Sequence, residues 1–197
     1  MDVPASPRNV GDMSQASWAA EIARKRLEEP LPRRWAHTQG VAQRARCLAP
    51  VLGEDADLLE AAAWLHDVGY SPDLVVTGFH PLDGARYLRD VEHADRRLCG
   101  LVAHHSCAAN EAEERGLLAV LTDEFEPADE LLSDALTYCD MTTTPDGRPI
   151  AVEHRLSEIQ SRYGEGHLVA RSIRRSSPHI VRSVRTIERV KRAAAFS

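Results

Sequence analysis

The sequence predicts an all-α protein, and three observations support this fold class. Apolar residues recur at spacings of three and four along most of the chain, while a convincing alternating strand pattern is not found. Proline and glycine separate the periodic segments at intervals that suit helices of ordinary length. With 197 residues, the chain is long enough for one well-packed domain. We therefore expect a flexible lead over residues 1–14 and a single helical bundle over 15–197.

The first three predicted helices are bounded by proline and glycine. A helix over about residues 17–28 ends before the Pro-Leu-Pro segment in which the second helix starts. The second carries His37 on the same face as Val41, so His37 should point toward the core. The third begins after Gly53 and stops around Gly69.

The middle of the chain alternates loops with short helices. Turn residues predict a loop over 71–79, and His80-Pro81 then begins a helix because proline suits its first turn. A following helix carries one inward stripe, formed by Leu98, Leu101, Val102 and His105. The acidic segment 111–134 predicts a short helix, a loop and the start of a helix whose inner face includes Asp140.

After a break at 142–149, we predict three more helices, over about 150–162, 166–175 and 178–195. The last has a basic outer face, but the net charge of the chain is −6, so a solvated amphipathic helix is favoured over a nucleic-acid surface. No apolar segment is long enough to span a bilayer, and the four cysteines form no Cys-x-x-Cys pair. A cytoplasmic protein with reduced cysteines is expected, with its oligomeric state left open and a homo-oligomer allowed.

The adjacent pair His66-Asp67 is the strongest chemical signal in the chain. It ends an apolar helical run over 58–65, where a carboxylate loses hydration and needs a compensating partner. An imidazole nitrogen and a carboxylate oxygen together are good ligands for first-row transition metals. Further candidate ligands occur along the chain at His37, His80, His104, His105 and Asp140. The fold is therefore expected to bury a metal site built from several helices.

These residues, in this order, resemble the HD-domain metal-dependent phosphohydrolase superfamily, an all-helical family named for its His-Asp pair. The resemblance covers about residues 30–145, with the C-terminal helices over 150–195 outside it, and rests on these segments: Arg34-Trp35-Ala36-His37, Trp64-Leu65-His66-Asp67-Val68-Gly69, His80-Pro81-Leu82-Asp83-Gly84-Ala85, Leu101-Val102-Ala103-His104-His105-Ser106 and Tyr138-Cys139-Asp140-Met141. The resemblance implies that a first metal is bound by His37, His66, Asp67 and Asp140. In branches of the family with two metals, the second would be bound by His80 and His104.

Two assignments have competing candidates. The resemblance favours His104 as the ligand of the second metal, whereas the helical stripe favours His105, and the other histidine would then orient a ligand or contact a phosphate oxygen. For phosphate binding, Arg34 shares the face of His37 and resembles an arginine of the family, with Arg33 as the alternative. Arg148 is a further candidate at the mouth of the site, because it follows Asp140 closely.

The implied function is hydrolysis of a phosphate ester, either a monoester or a diester, of a nucleotide or another small molecule. One or two ions of Fe, Mn, Ni, Co or Zn would lower the pKa of a bound water, with Asp67 and Arg34 as the catalytic residues. The chain lacks the Lys or Glu that several branches place shortly after the His-Asp pair, so the sequence assigns no named substrate. Two alternatives are a di-iron oxygenase on the same fold and a catalytically silent nucleotide-binding module.

Overall fold

The computed structural model of the protein describes residues 14–194, and helices dominate this part of the chain. The all-α prediction is therefore confirmed, whereas the predicted flexible lead lies, apart from Ser14, outside the described residues. The helices are α1 (Gln15–Leu27), α2 (Pro32–Arg46), α3 (Ala49–Leu52), α4 (Ala56–Leu65), α5 (His80–Asp90), α6 (Arg96–His104), α7 (Ala108–Glu114), α8 (Leu118–Glu124), α9 (Glu130–Met141), α10 (Val152–Tyr163) and α11 (Leu168–Ala194). Short 3-10 turns lie at Gly53–Asp55, Val68–Tyr70 and His105–Cys107.

Local capping explains where several helices begin. The Ser14 hydroxyl accepts the backbone N–H of Ser17 at 3.2 Å, at the start of α1. The Asp129 carboxylate accepts the N–H of Leu132 at 3.0 Å and begins α9 in the same way. These side chains satisfy N–H groups that have no partner within the first helical turn. Helices α2 and α5 instead carry proline in the first turn, where a missing N–H costs nothing.

Helix α4 is the centre of the core. Seven of its ten residues are buried, so it is apolar on nearly all sides, and it packs against α1, α2, α6 and α9. Its last five residues, from Ala61 to Leu65, are all buried. His66 and Asp67, which directly follow α4, therefore lie in the interior.

The structure corrects the prediction of separate helices over 166–175 and 178–195, because they form the single helix α11 with Pro178 inside it. Proline removes one helical hydrogen bond and crowds the preceding turn, which is why the sequence predicted a break. One face of α11 is buried on both sides of Pro178, from Ala170 to Ile187, and the helix packs against α9 and α10. Tertiary packing therefore outweighs the local cost of Pro178.

None of the helices within residues 14–194 is both long and apolar enough to cross a membrane.

Candidate metal centre

The His66-Asp67 pair lies where α4 ends and the 3-10 turn Val68–Tyr70 begins, and both side chains are buried. The turn approaches the start of α5 so closely that a Cβ on Gly69 would lie 2.1 Å from the carbonyl oxygen of His80. Only glycine permits this contact between two backbones. Gly69 therefore allows His80 to come within reach of Asp67.

Asp67 is shared by two groups of potential metal ligands. The first group consists of His37, His66 and Asp67, and the second of Asp67, His80 and His105; within each group the ligand atoms lie within 4.8 Å of one another. Oδ2 of Asp67 is 3.3 Å from Nε2 of His66, while Oδ1 is 3.3 Å from Nε2 of His80. The two oxygens of one carboxylate thus face different histidines, an arrangement that could hold one ion or bridge two.

Three of the histidines are oriented by backbone carbonyls. The Nδ1–H groups of His37, His66 and His105 donate to the carbonyl oxygens of Thr144, Ala63 and Val102, at 3.0, 2.8 and 2.7 Å. Such a bond fixes the tautomer and leaves the lone pair of Nε2 free to bind a cation. In each case Nε2 is the atom that faces the centre.

Asp140 borders the first group from α9. Its Oδ1 lies 3.0 Å from Nε2 of His37, and its Oδ2 accepts the hydroxyl of Ser106 at 2.5 Å. Ser106 and Cys107 have positive φ angles of 49° and 63°, which non-glycine residues seldom adopt. This left-handed turn follows α6 and brings both His105 and Ser106 to the cluster.

The loop after α9 packs tightly on α2. A Cβ on Gly40 would lie 2.4 Å from the carbonyl oxygen of Gly147, and a Cβ on Gly147 would lie 2.3 Å from that of Ala36. Two backbones therefore touch directly at this point. The contact holds the Thr144 carbonyl against the imidazole of His37.

The electrostatics of the centre favour a cation. Burial would raise the pKa values of both carboxyl groups, but Arg34, His66 and His80 hold the pKa of Asp67 well below its usual range. His37 and His66 lower the pKa of Asp140 in the same way. Burial disfavours the charged form of His66, yet the two carboxylates raise the pKa of His66 to about 9. Burial lowers the pKa values of His80 and His105, which keeps these imidazoles in the neutral form that binds metals.

The donor set therefore fits a bound metal ion. Nε2 of His66 is buried and has no hydrogen-bond partner among the described residues. A buried polar atom without a partner is costly, and here it lies 3.3 Å from Oδ2 of Asp67. A cation at this position would satisfy the imidazole lone pairs and the carboxylates together.

Arg34 lies beside the cluster, on the cavity side. Its Nη1 donates to Oδ2 of Asp67 at 2.7 Å, and its guanidinium lies over the Tyr70 ring, 4.0 Å from the ring centroid. Tyr70 also stacks on His80, with ring centroids 3.9 Å apart. The guanidinium is thus positioned by a carboxylate on one side and an aromatic face on the other.

The structure does not bring His104 and Arg148 into the centre. His104 is the last residue of α6, and its Nε2 lies 2.8 Å from the carbonyl oxygen of Phe125, so it points away; His105 takes the position beside His80, with their Nε2 atoms 3.2 Å apart. Arg148 is exposed in the loop after α9 and does not line the cavity over the cluster. Proximity in sequence to Asp140 was not sufficient, because Gly147 packs against α2 while the next residue, Arg148, is exposed.

Two arginines that sequence reasoning missed do line this cavity, Arg155 and Arg162 on α10. The cavity has a volume of about 100 Å³ and includes Arg34, Asp67 and His80. Arg155 is on the buried stripe of α10 with Val152 and Ile159. An arginine on an apolar stripe is unusual and was the signal that could have identified it.

Comparison with known proteins agrees with this geometry. The sequence model of the HD domain matches residues 34–138, more than half of the chain. Ribonuclease Y of Thermoanaerobacter pseudethanolicus is 34% identical over 85 residues, or 43% of this chain, and ribonuclease Y of Rubrobacter xylanophilus is 36% identical over 70 residues, or 36% of this chain.

These matches span only 16% and 14% of the length of the two ribonucleases, so they relate one region rather than whole proteins. No solved structure matches the chain significantly. The segment matched to the HD domain contains His37, His66, Asp67, His80 and His105. On the extent of this match, the chain belongs to the HD domain family.

Proposed function

We propose that the protein is a metal-dependent phosphohydrolase that cleaves a phosphate ester, monoester or diester, of a nucleotide or another small molecule. The single observation that carries the proposal is the position of Asp67, whose two oxygens face two different histidine groups. A shared carboxylate of this kind suits a site for one or two divalent ions.

The ligands that we propose for a first ion are His37, His66, Asp67 and Asp140. A second ion would share Asp67 and add His80 and His105, in place of the expected His104. Neutral imidazoles with carboxylates suit Fe, Mn, Ni, Co or Zn. When bound, such an ion would lower the pKa of water toward neutrality and neutralise charge on a phosphate.

The protein's own residues have distinct roles in this proposal. The backbone carbonyls of Ala63, Val102 and Thr144 fix the imidazoles before a ligand arrives, which lowers the cost of ordering the site. Asp67, with its depressed pKa, remains ionised at neutral pH and can orient water by accepting its proton in a hydrogen bond.

Arg34 is proposed to bind the phosphate. A guanidinium has five N–H donors, and the side chain of Arg34 uses Nη1 on Asp67, so donors remain for an anion in the cavity. The three arginines that line the cavity also favour hydrolysis of an anionic ester over the di-iron oxygenase alternative, because oxygen itself needs no such cationic wall. The ribonuclease names of the relatives support a phosphodiester as one substrate to test.

Metal removal and reloading tests the proposal directly. The purified protein is analysed for metals, treated with a chelator, and reloaded separately with Fe, Mn, Ni, Co or Zn. Each form is then assayed with phosphomonoester, phosphodiester and nucleotide substrates, and for oxygen consumption. We expect hydrolysis to disappear on stripping and to return with at least one ion. Hydrolysis that persists in the fully stripped protein would contradict the proposal, and oxygen consumption without hydrolysis would favour the oxygenase.

A further inference from the structure

We propose that α10 supplies a second anion-binding subsite beside the metal centre, formed by Arg155 and Arg162. The substrate would then carry a second anionic group beyond the phosphate at the metal centre. Its chemical class would be an organic diphosphate or polyphosphate, such as a nucleoside diphosphate, rather than a simple monophosphate ester. This inference deepens the proposed phosphohydrolase function and rests on it.

The position of the two arginines is the first observation that supports the subsite. Both line the cavity that contains Asp67 and His80, and both also line an adjoining cavity of about 340 Å³ that reaches His37. They therefore lie at the junction between the metal centre and a neighbouring space. A volume of this size falls in the range of small-molecule sites.

The burial of Arg155 is the second observation that supports the subsite. Only 5% of this residue is exposed, and its Nε has no hydrogen-bond partner among residues 14–194. A buried guanidinium with an unused donor lowers the stability of the folded protein unless an acceptor reaches it. Phosphate oxygens are suitable acceptors, because a guanidinium can bind them through two parallel N–H groups.

The balance of charged side chains on α10 is the third observation that supports the subsite. Within the described part of the chain, Glu158 is the single carboxylate that bridges Arg155 and Arg162, one helical turn to either side of it. Two guanidiniums and one carboxylate leave an excess of one positive charge at the cavity wall. On α11, by contrast, Arg171 and Arg175 are matched by two carboxylates, Glu114 and Glu113. The surplus on α10 can therefore attract an anion, while the pairs on α11 are neutral.

The wall of the adjoining cavity indicates where the organic part of the substrate would lie. Besides its charged residues, this cavity is lined by Pro30, Leu31, Pro32 and Pro145. Apolar side chains next to a guanidinium can pack against an uncharged ring while the anionic groups face the arginines. The arrangement thus fits a compound with two neighbouring anionic groups and an apolar end.

Equilibrium titration of the metal-containing protein with two matched probes tests the subsite. The probes are adenosine monophosphate and α,β-methylene adenosine diphosphate, which share base and sugar and differ chiefly in the second anionic group. We expect the second probe to bind the wild-type protein about tenfold more tightly, the effect of one charge-assisted hydrogen bond. The variants Arg155→Gln and Arg162→Gln should each reduce this preference to less than about threefold, with affinity for the monophosphate changed less. Probe integrity and metal content are measured after each titration.

The control is Arg174→Gln, which removes an exposed arginine of α11 that lines neither cavity. It should retain the full preference for the second probe. If Arg155→Gln does not fold, Arg162→Gln decides the outcome, since about a third of the Arg162 side chain is exposed. Equal affinity of the wild-type protein for both probes, or a preference that survives in the folded variants, would overturn the subsite.

The titration separates failure of the subsite from failure of the proposed function. Hydrolysis of simple esters by a protein without the probe preference would overturn the subsite alone. A probe preference that depends on Arg155 and Arg162, in a protein that cleaves no ester with any ion, would support the subsite and contradict the phosphohydrolase.

Discussion

The metal centre and the α10 wall lie on the same cavity but are built in opposite ways. In the metal centre, three imidazoles are each fixed by a backbone carbonyl, and their Nε2 atoms lie in the two ligand groups that share Asp67. On α10, two guanidiniums share the carboxylate of Glu158, and Nε of Arg155 has no hydrogen-bond partner in the part of the chain that the structure describes. The first region is organised for a small cation of fixed position, whereas the second retains unused donors for a larger, anionic ligand. Within one site, the fixed ligands thus lie in the metal centre and the unused hydrogen-bond donors lie on α10.

Removal of Asp67 is expected to have the largest effect, because both ligand groups depend on it. In Asp67→Ala we expect activity to fall more than about 100-fold, beyond the loss typical for residues that merely support a ligand. Bound metal, measured by elemental analysis, should fall as well. The matched control is Asp90→Ala, where the carboxylate is exposed and pairs with its neighbour Arg89. Undiminished hydrolysis in a folded Asp67→Ala variant would show that the metal centre is not the reacting region.

Substitution of two adjacent histidines, His105 and His104, should distinguish a metal ligand from a residue outside the metal centre. In His105→Ala we expect metal content to drop by up to one ion per chain and activity to fall about 10- to 100-fold. In His104→Ala we expect unchanged metal content and a loss of about 1 kcal/mol of stability, because only the hydrogen bond to Phe125 is removed. Elemental analysis and thermal unfolding measure the two quantities. The reverse pattern would restore His104 as the ligand.

A smaller effect is expected where the two regions meet, at Arg34. Arg34→Gln should lower kcat/KM for a phosphoester about tenfold, corresponding to one charge-assisted hydrogen bond to the phosphate. Arg148→Gln is the matched substitution in the exposed loop and should change kcat/KM less than about twofold. Steady-state kinetics on both variants measures the difference. Equal losses would mean that the loop after α9 folds over the cavity during the reaction.

The predictable part of the molecule was the part governed by helical periodicity. Helix α4 is apolar on nearly all sides, so its position in the core and the burial of His66 could be inferred from the sequence. The separate helices predicted around Pro178 were wrong, because local breaking signals do not include the packing of a long buried stripe.

The candidate site was less predictable where the chain leaves a helix. Helix α6 ends at His104, and His105 is directed inward only by the left-handed turn at Ser106 and Cys107, a conformation that neither residue type favours. Arg155 escaped notice for a different reason. The apolar stripe of α10 could have indicated that Arg155 is buried. The α10 sequence does not reveal that this stripe lies beside a cluster formed by distant residues.

The contact between Gly40 and Gly147 has a consequence for how substitutions combine. Each glycine lacks a side chain at a point where the opposite backbone fills the space, and together they keep the Thr144 carbonyl on the imidazole of His37. Alanine at either position would push the same two segments apart, so most of the damage would already be done by the first change. The energetic penalties should therefore be strongly non-additive, with the double variant little worse than the more harmful single one. Two positions separated by more than a hundred residues would then respond to substitution as a single site.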